Sequence, residues 1–235
     1  MSKIAVITGS SRGIGFAVAE VFAKNGFDLV LNGKNPEKLE EAIDALSSQY
    51  SDIQVEGFAA DLGNQQECKD FVEKTLETHP QIDVLVNNAG VFLPGTLMDE
   101  DDDQMHFQMQ TNFFSAYHVT KGLWNALKKN ERSHVFNMCS IASIMAYDAG
   151  GGYAVTKHAL LGFSKSLRRE GITKGIRVTS VLPGATYTDS WASVDLPKSR
   201  FMKVEDVAKS IWAAYDINLH TNMEEVVLRP IEGDI

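Results

Sequence analysis

The first segment of the chain joins a buried strand to a helix through a glycine loop. Residues 4–7 form an unbroken apolar run, which is typical of a parallel strand covered on both faces. The loop Thr8-Gly9-Ser10-Ser11-Arg12-Gly13-Ile14-Gly15 follows, and residues 16–24 then carry apolar side chains at helical spacing before an Asn-Gly stop. Glycines at a helix start let backbone amides approach a phosphate, whose charge the helix dipole favours. The segment therefore predicts a parallel α/β fold with a nucleotide site near its first helix.

Apolar runs alternate with helical segments along the rest of the chain. Further strands are predicted at residues 28–32, 53–58, 82–86, 133–138, 176–182 and 226–228. Helices are predicted to begin at Pro36, after the acidic residues 99–103, near Tyr153 and at Val204. This alternation predicts an α/β doubly wound parallel sheet flanked by helices. The chain has 235 residues, 44% of them apolar, and no linker or repeat, so we expect one domain over residues 1–235.

Charge and cysteine content exclude several classes of protein. The formal net charge is −9 without clusters of Lys and Arg, which argues against a nucleic-acid or anionic-membrane partner. No apolar run approaches the ~18 residues of a membrane span, and the first strand runs directly into the glycine loop without the pattern of a signal peptide. Cys68 and Cys139 lack C-x-x-C spacing, so they indicate neither a disulfide framework nor a metal site. We expect a cytoplasmic protein with reduced cysteines and no metal.

Tyr153 and Lys157 are four residues apart and would share one face of a helix. A free tyrosine titrates near ~10, and a neighbouring cation lowers the pKa towards the range of an acid that works at neutral pH. Glycines 150–152 can let the backbone enter this helix at an unusual angle. Ser140 follows a predicted strand on the crevice side of the sheet, and Ser143 is a competing hydroxyl. Taken alone, this spacing is a weak signal, and it more often belongs to an ordinary tyrosine of an amphipathic helix and a solvated lysine.

The end of the second predicted strand bears on the choice of cofactor. It reads Asn32-Gly33-Lys34-Asn35 without an acid, whereas an NAD enzyme commonly places an acid here to bind ribose hydroxyls. Glu37 lies near that spacing, but a helix-start acid is its expected role. Lys34 and Arg12 can clamp a 2′-phosphate, or be two solvated surface cations. Asp61, after the third strand, can accept a hydrogen bond from an adenine amino group or cap a helix.

Three other segments carry weaker signals. Asn112 lies inside the predicted long helix, where an amide often marks a kink or a bound water. The acidic run 99–103 is expected to cap and solvate the start of that helix. Residues 185–203 lack periodicity, which is typical of a mobile lid or of an irregular connection. The candidate walls of a small, partly apolar pocket are Phe92, Met145, Tyr147, Tyr187 and Trp191.

With these motifs in order, the chain resembles the short-chain dehydrogenase/reductase family, in its compact single-domain branch, over nearly its whole length. Thr8-Gly9-x-x-x-Gly13-x-Gly15 is similar to the family's cofactor loop, Asn87-Asn88-Ala89-Gly90 to its strand-four motif, and Pro183-Gly184 with Thr188 to its nicotinamide-side segment. Asn112, Ser140, Tyr153 and Lys157 match its catalytic tetrad. The resemblance implies a Rossmann-type fold. Together with the loop and strand-end residues already named, it implies a cofactor site formed by Gly9, Ser11, Arg12, Gly13, Ile14, Gly15, Lys34, Asp61, Leu62, Asn88, Ala89, Gly90, Tyr153, Lys157, Pro183, Gly184 and Thr188.

The resemblance also implies an activity, that of an NADP(H)-dependent carbonyl reductase or alcohol dehydrogenase with a small carbonyl or alcohol substrate. Ser140 would hold the substrate oxygen, and Tyr153 would donate the proton in reduction. Lys157 would lower the pKa of the tyrosine and bond the nicotinamide ribose, while Asn112 would hold a water that reconnects Lys157 to solvent. In this family, basic residues at the positions of Arg12 and Lys34 accompany NADP, although NAD(H) stays possible. Homodimers or homotetramers built on the long helices are usual in the family and are expected here.

Two other functions compete with this one. A non-catalytic NADP-binding sensor or scaffold on the same fold is the first, and the intact tetrad argues against it because a sensor needs no acid of tuned pKa. The second is a sugar-nucleotide epimerase or dehydratase of the extended relatives, which usually have another glycine spacing and a sizeable carboxyl-terminal substrate domain. The similarity to ketoacyl-carrier reductases is general and does not identify a substrate.

Overall fold

Seven parallel strands form the centre of the molecule. The computed structural model describes residues 2–191 and 194–235. The strands are β1 (Lys3–Ile7), β2 (Phe27–Gly33), β3 (Val55–Ala59), β4 (Val84–Asn87), β5 (His134–Met138), β6 (Arg177–Pro183) and β7 (Glu225–Leu228). They pair in the order β3-β2-β1-β4-β5-β6-β7, so the chain winds outwards from β1 in one direction and from β4 in the other. The predicted doubly wound sheet is confirmed, and its ligand crevice is expected where the winding reverses, at the carboxyl ends of β1 and β4.

Helices cover both faces of this sheet. They are α1 (Gly13–Lys24), α2 (Pro36–Gln49), α3 (Gln65–Thr78), α4 (Asp102–Met109), α5 (Ser115–Leu127), α6 (Gly151–Ile172) and α7 (Val204–Asp216). Successive side chains of β1 point to opposite faces, so Ile7 packs in a core under α1, α2 and α7, whereas Val6 packs in a second core under α3 and α5. No helix in the described parts of the chain combines the length and the apolar character needed to cross a membrane.

The long helix predicted around Asn112 is interrupted. A π-helical turn, Gln110–Phe114, separates α4 from α5. The side-chain amide of Asn112 explains where this turn lies. Its Oδ1 accepts from the backbone N–H of Val91 at 2.7 Å, and its Nδ2 donates to the Val91 carbonyl at 2.9 Å. An amide that binds a neighbouring loop in this way competes with the regular helix ladder. The irregularity expected at Asn112 is therefore present as a π-helical turn.

The predicted lid follows an irregular path. Its residues 192 and 193 lie outside the described residues, and two short 3₁₀ turns, Asp189–Trp191 and Lys198–Arg200, form the described parts on either side. The Phe201 ring is buried and packs against the rings of Tyr187 and Trp191, at centroid distances of 5.7 and 5.2 Å. These three aromatic side chains thus join the two described parts of the segment to each other.

Candidate functional site

A cavity of about 630 Å³ runs along the carboxyl ends of the strands. This volume lies within the range of ligand sites for small molecules and cofactors. Of the predicted cofactor residues, all but Asp61 line the cavity, and so do the five predicted walls Phe92, Met145, Tyr147, Tyr187 and Trp191. The loops after β1, β2 and β4 form one end, and the loop after β5 together with the start of α6 forms the other. The crevice predicted from the strand order is therefore the site.

The glycine loop is fixed by the segment that follows β4. Gly9 and Gly13 have φ of +61° and +59°, the left-handed region that side chains disfavour. A Cβ on Gly15 would lie 2.3 Å from the Gly9 carbonyl oxygen, so only glycine fits there. The Asn88 side-chain amide donates to the Thr8 and Gly9 carbonyls at 3.0 and 2.8 Å. These contacts give the loop one shape.

The start of α1 is suited to an anion. Arg12 occupies its N-cap position without a side-chain hydrogen bond to the helix, and the first turn contains no acid. By contrast, Asn35 and Asn64 cap α2 and α3 with their side chains. The first amides of α1 therefore lack a side-chain partner at a point where the helix faces the cavity, which is the arrangement that binds a phosphate. The residues present thus fit a dinucleotide's pyrophosphate.

Two cations line the same end of the cavity, each beside a carboxylate. Arg12 forms an ion pair with Asp189, and Lys34 Nζ lies 2.7 Å from Asp61 Oδ2. Asp61 also accepts from the backbone N–H of Gly63 at 3.0 Å, and it does not line the cavity. The place predicted for Asp61 therefore differs from the observed one, because the carboxylate turns towards Lys34.

Ser140 is the hydroxyl that faces the cavity at its other end. Its Oγ accepts from the backbone N–H of Ala142, and its own N–H donates to Ser143 Oγ, both at 3.1 Å. Ser143 is buried and does not line the cavity. Ser140 is therefore the serine of the two whose hydroxyl can contact a ligand in the cavity. Ser143 instead stabilises the turn through its bond with the Ser140 N–H.

Tyr153 and Lys157 lie together beside Ser140, and burial controls both pKa values. Lys157 Nζ is 5.5 Å from the centre of the Tyr153 ring and donates to the Met138 carbonyl at 2.7 Å. Burial raises the pKa of Tyr153 to about 12, although the neighbouring Ser140 hydroxyl opposes this shift. Burial also lowers the pKa of Lys157 to about 8. The predicted lowering of the tyrosine pKa is thus wrong for the ligand-free protein, because desolvation of the phenolate outweighs the hydrogen bond with Ser140.

Asn112 does not line the cavity and instead packs behind it. Besides its bonds to Val91, its Nδ2 donates to Thr156 Oγ1 at 3.0 Å, and this hydroxyl donates to the Tyr153 carbonyl at 2.8 Å. A Cβ on Gly90 would lie 3.2 Å from Asn112 Oδ1 and 3.6 Å from Lys157 Nζ, so these two side chains flank Gly90. Asn112 thereby joins the π-helical turn to the helix that carries Tyr153.

Several cavity residues carry no motif in the sequence. Most of them are neighbours in sequence of the predicted residues at the strand ends, and only this position indicates that they line the cavity. Asp234 and Ile235 are different, because an ion pair between Arg229 and Asp234 brings the segment after β7 to the cavity, and no local pattern signals such a contact. The additional lining residues are Asn32, Gly33, Ala60, Val91, Met138, Cys139, Ile141, Ala185, Thr186, Asp189, Val204, Asp234 and Ile235.

Comparison with known proteins gives a consistent result. Residues 3–198 match the sequence model of the family described as short chain dehydrogenase. A sepiapterin reductase from Chlorobaculum tepidum is 30% identical over 243 aligned positions, which cover 100% of this chain and 99% of that protein. An alcohol dehydrogenase from the archaeon Thermococcus sibiricus, solved with 5-hydroxy-NADP, has a TM-score of 0.91 at 26% identity and covers 98% of this chain and 97% of its own. L-sorbose reductase from Gluconobacter frateurii, solved with NADPH and L-sorbose, has a TM-score of 0.87 at 28% identity and covers 97% and 94%.

Proposed function

This chain belongs to the short-chain dehydrogenase family of oxidoreductases, and we propose that it transfers a hydride between NADP(H) and a small carbonyl or alcohol substrate. The observation that carries this proposal is that one cavity contains an uncapped helix start at one end and Ser140, Tyr153 and Lys157 at the other. A cavity with both features suits a long cofactor whose reactive ring reaches the hydroxyl groups.

Three features support NADP(H) over NAD(H). Arg12 and Lys34 line the end of the cavity where β2 finishes, and β2 ends in Asn32-Gly33 without an acid for ribose hydroxyls. The archaeal alcohol dehydrogenase and the sorbose reductase were both solved with NADP-type cofactors. We propose that the amides at the start of α1 hold the pyrophosphate, and that Pro183, Gly184 and Thr188 contact the nicotinamide side. The cofactor would supply or accept the hydride.

The chain's own residues would then perform the proton chemistry. Ser140 donates a hydrogen bond to the substrate oxygen and polarises the carbonyl group. Tyr153, a neutral phenol at neutral pH, donates its proton to that oxygen as negative charge develops on it, because an alkoxide is a stronger base than a phenolate. The ammonium of Lys157 stabilises the resulting phenolate, and Asn112 is our candidate for holding the water that returns a proton.

A binding titration followed by a turnover assay tests this function. The purified protein is titrated with NADPH and with NADH, and a panel of ketones, aldehydes and acyl thioesters is then followed by loss of the absorbance of reduced nicotinamide. We expect tighter binding of NADPH and turnover of at least one compound. Binding without turnover of an extended panel would favour the sensor or scaffold, and binding of neither cofactor would contradict the proposal.

The two cations can be tested by replacing Arg12 and Lys34 together with alanine. Both side chains are more than half exposed, so solvent screens their charges, and a loss of about 1.4 kcal/mol corresponds to roughly tenfold in affinity. We expect the double variant to bind NADPH roughly tenfold more weakly, with NADH affinity nearly unchanged.

Lys38→Ala is the matched control for this measurement, because Lys38 is an exposed cation on α2 that does not line the cavity. Its NADPH affinity should equal that of the wild type. An unchanged ratio of NADPH to NADH affinity in the double variant would contradict the phosphate clamp.

We also propose that the chain forms a homodimer or homotetramer through α5 and α6. Phe113, Tyr117 and Phe163 form a cluster of half-buried aromatic side chains here, and a second copy of the chain would cover their exposed parts. Light scattering is expected to give a multiple of the chain mass. A monomer at every concentration measured would contradict the proposal.

A further inference from the structure

The helix that carries Tyr153 and Lys157 begins at a strained backbone junction. Ala149 has φ of +56° and Gly151 has φ of +25°, which is a conformation that a residue with a side chain rarely adopts. The N-cap residue of α6 is Gly150, which has no side chain, and the first turn of the helix contains no acid. The start of α6 therefore depends on partners from elsewhere in the fold.

The loop before α4 supplies those partners. Glu100 Oε2 accepts from the backbone N–H of Gly152 at 3.2 Å, across 52 positions of the chain. The backbone N–H of Gly95 donates to the Ala149 carbonyl at 3.1 Å, and Gly95 forms an isolated parallel bridge with Gly150. Asp102 and Asp103 of the acidic run lie in the first turn of α4, as expected. The carboxylate of Glu100 instead caps α6, where the helix dipole favours a negative charge.

The fit between Glu100 and the glycines is close. A Cβ on Gly152 would lie 2.3 Å from Glu100 Oε1, and one on Gly151 would lie 3.1 Å from Oε2. Oε1 is buried, and no described residue forms a hydrogen bond with it. A buried, unpartnered carboxylate oxygen costs free energy, so simple stability of the loop does not account for it.

The same loop also reaches the catalytic tyrosine from its other side. Phe92 lines the cavity and packs edge-on against the Tyr153 ring at a centroid distance of 5.0 Å. Tyr153 follows Gly152 directly, so the residue whose N–H the carboxylate binds adjoins the proposed acid. Displacement of Glu100 would thus shift the phenol relative to Ser140.

We infer that Glu100 is a positioning residue of the active site, which fixes the first turn of α6 and so the phenol of Tyr153. This inference rests on the proposed function, since it assigns Glu100 a part in the same reaction. It also differs from a purely structural cap, because a cap would affect stability without selectively affecting the turnover step.

The test compares Glu100→Ala with Glu100→Gln. Alanine removes the acceptor for the Gly152 N–H, whereas glutamine retains an acceptor oxygen of the same reach. Because small displacements of reacting groups cost rate, we expect Glu100→Ala to lower kcat about tenfold with KM and NADPH affinity nearly unchanged. Hydrogen–deuterium exchange should become faster at residues 150–156. Glu100→Gln should recover most of kcat and of the protection.

Two further variants control this result. Asp99→Ala removes a neighbouring, exposed acid of the same run and should match the wild type in every measurement. Gly152→Ala places a Cβ 2.3 Å from Glu100 Oε1 and 2.7 Å from the sulfur of Met105, whose flexible side chain can move aside. The variant thus displaces the carboxylate and should lower kcat as Glu100→Ala does. Because both changes break one contact, the double variant should show no additional loss.

Several results would overturn the inference. These are an unchanged kcat in Glu100→Ala of an active enzyme, unchanged exchange at residues 150–156, a loss shared equally by Asp99→Ala, or additive losses in the double variant. Hydrogen–deuterium exchange needs no substrate, so it decides whether Glu100 holds this turn even in a protein without measurable turnover. A wild type that turned over no compound would count against the proposed function alone. If Glu100→Ala does not fold, the glutamine variant and Gly152→Ala provide the comparison.

Discussion

Replacement of Tyr153 by phenylalanine is expected to leave NADPH binding nearly intact and to lower turnover by about 10²–10⁴-fold, the usual contribution of a general acid. Phenylalanine keeps the ring that packs against Phe92 and removes only the hydroxyl. Since burial raises the pKa of this phenol to about 12, it holds its proton at neutral pH and can donate it to an oxygen that becomes negatively charged. Without the hydroxyl, the proton must come from water.

The measurement is kcat for the best panel substrate, with NADPH affinity from a separate titration. Tyr50→Phe provides the control, because Tyr50 is a half-buried tyrosine at the end of α2 and does not line the cavity. It should match the wild type. Undiminished turnover in Tyr153→Phe would rule out the tyrosine as the acid.

Replacement of Lys157 by methionine is expected to abolish most turnover while making the ligand-free protein more stable. Lys157 is 5% exposed, and burial lowers its pKa from 10.5 to about 8. A shift of this size corresponds to roughly 3 kcal/mol of unfavourable free energy for keeping the ammonium inside the folded protein. Methionine has a similar length and no charge, but it leaves the Met138 carbonyl without its donor. We therefore expect a net gain of about 1–2 kcal/mol in the free energy of unfolding near neutral pH.

The pH dependence of stability distinguishes this cause from better packing. Between about pH 8 and 10.5 the folded lysine has lost its proton while the unfolded lysine still binds one, so the stability of the wild type rises with pH across this window. Below about pH 8 both states are protonated and the cost is constant. Denaturant unfolding at several pH values should show that the free energy of unfolding of the wild type rises between about pH 8 and 10.5. This rise should be absent in Lys157→Met. Equal slopes in the two proteins would contradict the assignment.

The glycine spacing of this loop could be predicted from the sequence because it reflects the loop's own backbone, whereas the contacts from Asn88 that fix the loop are long-range. Positive φ at Gly9 and Gly13 and the close approach of Gly15 to the Gly9 carbonyl depend on residues within one short loop. The order of strand, loop and helix in this segment is therefore visible in the sequence. An irregularity at Asn112 was predictable for a similar reason, since an amide inside a helix can bind a partner outside it, but its form as a π-helical turn was not.

Contacts between distant segments and the sign of a pKa shift were not predictable. The carboxylate of Glu100 binds a helix 52 positions later, and Asp61 turns to Lys34 instead of the cavity. The spacing of residues in the sequence indicates neither contact, because both contacts depend on where the folded domain places its loops. The Tyr153–Lys157 spacing indicates the neighbouring charge but not the depth of burial, and in the ligand-free protein burial decides the direction of the shift.

The strand order has a consequence for how such a domain can change over evolution. The glycine loop follows β1, which is flanked by β2 and β4, so a substitution there disturbs the middle of the sheet. The segment with Asp234 follows β7, which lies at an edge and pairs only with β6. Substitutions at this edge are expected to cost less stability, because fewer packed neighbours depend on it. Changes in the segment after β7 are therefore expected to reshape the cavity at a smaller cost in stability than changes in the glycine loop.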